Sequence, residues 1–188
     1  MFVGGNDTSA ADALNEIFDG TSWTESADIN TARWEVAAAG TTTSALIAGG
    51  RTSATPNVSG DVESWNGSSW TETTNLGTPR KKGNHTGIDN EATLYYGGID
   101  VPNSRVTVTE SWNGSSWTEV ADLNTGRDSL GVAGTQTDAL GFGGTTSPSS
   151  FQGATELYNG STWTELNDLN TARAVNAGMG DSSTAALY

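Results

Sequence analysis

The sequence contains no cysteine. That excludes a disulfide framework, a thiolate metal site and a cysteine nucleophile. Its one histidine, His85, rules out a two-histidine metal site and leaves little material for acid–base work at neutral pH. Basic residues are also scarce: eight Lys and Arg stand against 22 Asp and Glu, a formal charge of −14. Nucleic acid and anionic membrane both need clustered positive charge, so neither is an expected partner. No run of 18 apolar residues occurs, hence no membrane-spanning helix is expected, and Met1 to Ser9 lacks the basic-then-apolar order of a secretory signal. These absences point away from enzymes, and neither a cofactor nor a metal is expected.

What is present is glycine, 24 residues of it, and seven tryptophans. A low apolar fraction of 34% would suit a disordered chain, but such chains are poor in large aromatics. Periodicity decides the matter. Trp-Thr-Glu recurs at Trp23, Trp70, Trp117 and Trp163, spaced 47, 47 and 46 residues apart. Seven residues before each Trp stands Glu16, Glu63, Glu110 or Glu156, and two after that Glu an aromatic: Phe18, Trp65, Trp112, Tyr158. Ten residues after each Trp comes Arg33, Arg80, Arg127 or Arg173, and seven after each Arg a glycine. Glycine pairs follow at Gly49-Gly50, Gly97-Gly98 and Gly143-Gly144, with Gly4-Gly5 the fourth. A period of this length built from strand-length pieces indicates a propeller or related array.

Each unit reads as four short strands. In the second, these are Arg33 to Gly40, Ser44 to Gly50, Asp61 to Trp65 and Ser69 to Thr73, with Asn66-Gly67 as a turn pair. No stretch has a convincing helical period, and Asp12 to Phe18 aligns with the third strand elsewhere.

Gly-Gly after a small apolar strand, Glu-x-aromatic, a turn, Trp, and a link ending in Arg resemble the kelch repeat over essentially the whole chain. The resemblance implies an all-β protein: a β-propeller of four-stranded antiparallel blades, strand one nearest the axis, with Gly-Gly letting neighbouring blades approach closely. Four such blades would make residues 1–188 one domain. Asn-Gly-Ser-Ser-Trp-Thr-Glu followed by Asp-Leu-Asn-Thr is also similar to kelch-like arrays in structural proteins of marine bacteriophages, which would place the chain on a virion. The repeat frame is cut inside strand two. Arg173 to Gly180 supplies a first strand and Thr184 to Tyr188 begins a second, Leu187 aligning with Met1 and Tyr188 with Phe2. The ends are therefore expected to share a composite blade. A closed four-bladed monomer is favoured, with an eight-bladed homodimer or a stretch of a longer array as alternatives.

The repeated Trp and Arg residues are expected to be architectural: tryptophans packed between blades, arginines paired with a repeat carboxylate such as Glu63. His85 is expected to carry no chemistry. Binding is expected where the repeats differ, on the loops after Gly-Gly: residues 6–13, 51–60, 99–107 and 145–153. Under the resemblance these loops share a face with the links that contain the basic run Arg80-Lys81-Lys82. The candidate ligand-binding residues are Arg51, Asn57, Arg80, Lys81, Lys82, Asn103, Arg105, Ser149 and Phe151, and the expected partner is a protein or glycan. Two propeller enzymes are similar in fold to this reading. Galactose oxidase needs a crosslinked cysteine, absent here, and two histidines where this chain has one. A sialidase-like glycosidase would use Asp-box hairpins, which Ser64 to Trp70 approaches one residue short, and a Tyr–Glu pairing that does not stand out. Six Asn-x-Ser/Thr sequons (Asn6, Asn57, Asn66, Asn84, Asn113, Asn159) are expected by-products of composition. A purely structural module is the remaining rival to a binding propeller.

Overall fold

The computed structural model describes residues 1–6, 10–174 and 182–184, and every regular element among them is a β-strand. The strands form successive antiparallel blades. The first has three: β1 (Phe2–Asn6), β2 (Ala11–Phe18) and β3 (Trp23–Ser26). The second has four: β4 (Ala37–Gly40), β5 (Ala45–Ala48), β6 (Val62–Trp65) and β7 (Trp70–Glu72). The third repeats this with β8 (Asn84–Gly87), β9 (Thr93–Tyr96), β10 (Thr109–Trp112) and β11 (Trp117–Glu119). In the fourth, β12 (Gly131–Gly134), β13 (Ala139–Phe142), β16 (Thr155–Tyr158) and β17 (Trp163–Leu166) make the blade. A two-stranded hairpin, β14 (Thr145–Ser147) and β15 (Ser150–Phe151), interrupts it. The first strands β4, β8 and β12 lie beside one another, so they are the inner strands. This is an all-β, propeller-type fold, as the repeat predicts. The composite blade rests on residues 175–181 and 185–188, which lie outside the described residues.

The strand boundaries are tighter than the sequence suggests. Arg33 to Val36 was expected to open strand one, but regular pairing starts only at Ala37, because Glu35 adopts a left-handed φ of 56° that no strand accommodates. Asp12 to Phe18 is a strand, in register with Trp23 to Ser26 across the Asp19-Gly20 turn. The Asn-Gly turns are closed by the Asn side chain. Asn66 Oδ1 accepts the Ser68 and Ser69 amides at 3.0 Å each, and Asn113 and Asn159 repeat the arrangement.

The hydrophobic core is divided among the blade interfaces. Ala37, Leu46, Ala48 and Val62 of the second blade meet Tyr95, Trp112 and Trp117 of the third. Leu94, Tyr96 and Leu130 meet Ala139, Tyr158 and Trp163 of the fourth. Met1, Val3 and Ile17 of the first meet Ile47, Trp65 and Trp70 of the second. Trp70, Trp117 and Trp163 of the Trp-Thr-Glu motifs thus each face the preceding blade. Trp70 and Trp163 are buried and Trp117 is half-buried. Trp23 overturns the expectation of uniform packing: it is 55% exposed and meets Phe18 at a tilt, 5.3 Å between ring centres, because it belongs to the first blade and joins none of these three cores. The third-strand tryptophans Trp65 and Trp112 are the more deeply enclosed, and their indole N–H groups donate to Thr42 O and Asn90 O.

These burials separate the tryptophans energetically. Trp70→Ala should cost about 3–5 kcal/mol, the range for emptying a large buried aromatic site. Trp23→Ala should cost less than about 1 kcal/mol, as for exposed positions. Urea unfolding of the two variants checks this, and equal losses would contradict the interface assignment.

Candidate functional site

The repeat arginines build the frame of the site. Arg33 Nη2 lies 2.7 Å from Glu63 Oε1, Arg80 Nη1 2.6 Å from Glu110 Oε1, and Arg127 Nη2 2.6 Å from Glu156 Oε1. All six side chains are essentially inaccessible. The arginines also donate to backbone carbonyls: Arg33 to Gly49 O and Asp61 O, Arg127 to Gly143 O and Ala154 O. Each glutamate accepts amides of the incoming link, Asn30 N and Thr31 N on Glu63 and Gly77 N and Thr78 N on Glu110. The arginine carbonyls then reach back to the previous blade. Arg33 O accepts Gly5 N–H at 3.0 Å, Arg80 O accepts Gly50 N–H at 2.9 Å, and Arg127 O accepts Gly98 N–H at 2.8 Å. The first glycine of each pair is the point of closest approach. A Cβ on Gly49 would stand 2.3 Å from Arg80 O, and φ there is +64°. The pairing expected of Arg33, Arg80 and Arg127 is thus present. Arg80 is thereby corrected as a ligand-binding candidate, since it is fully buried on Glu110 and over the Tyr95 ring.

Two residues beyond each arginine the chain turns inward. Glu35, Lys82 and Ser129 all have left-handed φ, 56°, 54° and 55°. Lys82 N–H donates to Glu35 O at 3.0 Å and Ser129 N–H to Lys82 O at 3.1 Å, which links three blades by main chain alone. Above this arc lies a hollow of about 340 Å³, bounded by Glu35, Arg51, Lys81, Lys82, Asn103 and Arg105, with Asp128 and Pro148 also in its lining. Post-Gly-Gly loops and inter-blade links meet there on one face. A second hollow of about 240 Å³ adjoins it, lined by Asn57, Lys81, Asp100 and Asn103 among others. Thr55-Pro56 and Val101-Pro102 at its rim are cis. Of the predicted residues, Arg51, Lys81, Lys82, Asn103 and Arg105 come together, and Asn57 joins them through the second hollow. Ser149 and Phe151 are on the β14–β15 hairpin, whose Pro148 rather than either of them lines the first hollow. Thr145 and Asp128 were missed by the sequence reading. Asp128 accepts from Arg105 Nε at 2.8 Å and Thr145 Oγ1 at 2.7 Å, a cluster of long sequence separation with no local signature.

The charged residues differ in their partners. Lys82 Nζ pairs with Glu35 at 3.3 Å and Arg105 with Asp128. Arg51 lies over the Trp34 ring at 5.0 Å and its Nε has no acceptor. Lys81 is 9% exposed, and its ammonium has no hydrogen-bond or ion-pair partner among the described residues. Burial, then the neighbouring Arg51, holds Lys81 below the usual lysine range against the opposing pull of Glu35. The basic run therefore splits: Arg80 is structural, Lys82 is paired, and Lys81 is unpaired.

With this geometry in hand, the fold has a class, an all-β propeller-type array. No family model matches the chain, nor does any curated protein. Among solved structures it is similar to YjhT, with a TM-score of 0.72 and 14% identity over 96% of this chain and 69% of that one. The likeness carries the fold alone.

His85 lies away from the hollow, inside the second interface. Its Nε2 is 2.9 Å from Thr93 Oγ1 and its ring stacks on Trp117 at 5.9 Å. Burial, aided by Arg80, pushes its pKa down to about 3. In the unfolded chain it protonates near pH 6.5. Its stabilising contribution is therefore complete above pH 6.5 and is lost as pH falls toward 3, by up to about 1.4 kcal/mol per pH unit. The unfolding free energy of the parent relative to His85→Gln should fall with that sign between pH 6.5 and 4.5, and a flat difference would contradict the assignment.

Proposed function

We propose that this chain is a kelch-type propeller acting as a non-enzymatic binding module, which meets a protein or glycan with the face that carries residues 51–60, 99–107 and 145–153. The observation that carries the reading is the hollow on that face. It is framed by the segments that differ between repeats and rests on a backbone arc whose geometry is the same in three blades. Rigid scaffold beneath variable loops is the usual arrangement of binding surfaces. A virion surface is the setting that the repeat wording suggests. The rival, an assembly module, draws support from exposed Phe2, Leu14, Phe18 and Trp23 on the first blade.

Exchanging the exposed segments 53–57, 101–104 or 147–149 for Gly/Ser sequence should change capture on a glycan and host-surface array and leave the melting temperature unaltered. Val58 and Ser59 are buried and are left intact. Unchanged capture with all three exchanges would defeat this reading, and hydrolysis of a fluorogenic glycoside panel would defeat its non-enzymatic part.

A further inference from the structure

The eight basic residues of the chain divide evenly. Arg33, Arg80, Arg127 and Arg173 occupy the repeat position. The other four, Arg51, Lys81, Lys82 and Arg105, all line one hollow. They come from three separate segments, so the convergence is a product of the fold. Within a body of charge −14, this wall carries four cations against two carboxylates, Glu35 and Asp128. Lys82 holds Glu35 through Oε1 only, its Oε2 having no hydrogen-bond partner, Arg105 holds Asp128, and Asp100, at the adjoining hollow, accepts the Ser104 amide. Arg51 and Lys81 are left without a direct ion pair, Glu35 acting on Lys81 only at longer range. The Lys81 side chain is largely enclosed, and burial and the like charges of Arg51 and Lys82 disfavour its charged form, partly offset by Glu35. An unsatisfied guanidinium Nε beside it adds to the same imbalance.

We infer that Arg51 and Lys81 form the binding site for a compact oxyanion, a carboxylate or phosphate group of the ligand; this rests on the reading of the loop face as a binding face. The guanidinium would supply a planar fork and Lys81 a point charge from the opposite segment, the pairing of donors that oxyanions favour. Asn103 and Thr145 lie in the same wall as neutral polar neighbours.

Calorimetric titration at constant ionic strength with inorganic phosphate, D-glucuronate and D-glucose tests the site. Saturable binding of phosphate, of glucuronate, or of both is expected, and none of glucose. Lys81→Gln and Arg51→Gln should each weaken it about tenfold or more, the scale of one lost charge-assisted contact. Thr71→Glu, on the exposed outer strand, makes the same change in net charge and should have no effect. Lys81→Met keeps the buried stem and serves if the Gln variant fails to fold. Failure of both anions to saturate, binding of glucose equal to that of glucuronate, or insensitivity to both charge removals would overturn the oxyanion site. Loop exchanges that still alter array capture would then leave the binding-module reading standing.

Discussion

The structure depends on one arginine per junction. Its guanidinium is spent inside its own blade, on a glutamate and on strand-end carbonyls, while its carbonyl oxygen takes an N–H from the glycine pair of the blade before. One residue thus ties side chain to blade and main chain to neighbour. A buried ion pair alone is a poor source of stability, since desolvation offsets the attraction. Here the glutamate also satisfies two link amides and an asparagine side chain, so the pair closes a network of backbone groups that would otherwise be orphaned. The interface apolar clusters supply burial; the arginine sets the spacing and angle at which they meet.

The binding face follows from the same constraint. Because the link is clamped through the arginine, the next residues must turn sharply to enter the inner strand. That turn is the left-handed residue at 35, 82 and 129. These turns bond to one another and make the arc beneath the hollow. The loops after Gly-Gly leave from the other side of the junction, so every change in loop sequence is presented over an unchanging base.

Much of this was legible in the sequence because repetition displays architecture. Glu and Arg at fixed offsets in four copies implied a pair, and Gly-Gly after an apolar strand implied close approach. What was not legible depends on position in the array or on three-dimensional convergence. Trp23 is written like Trp70, yet it joins none of the three cores that enclose the others. Arg80, Lys81 and Lys82 are adjacent cations in sequence and have three different environments, because one side chain points into the blade, one into the hollow and one to Glu35. Residues 145–151 form a hairpin where a loop was expected, with Thr145 held by Asp128 in a bridge that continues the β12–β13 pairing.

The central claim is that the arginine acts through a backbone network rather than as an isolated ion pair. The measurement that bears on it most directly is the urea unfolding free energy of Arg33→Met/Glu63→Leu. An isolated buried pair replaced by apolar residues of similar size would leave stability unchanged or raised. The network account predicts a loss of about 3 kcal/mol or more, because Asn30 and Thr31 lose their acceptors and Gly49 and Asp61 lose their donor. A double variant as stable as the parent would contradict it.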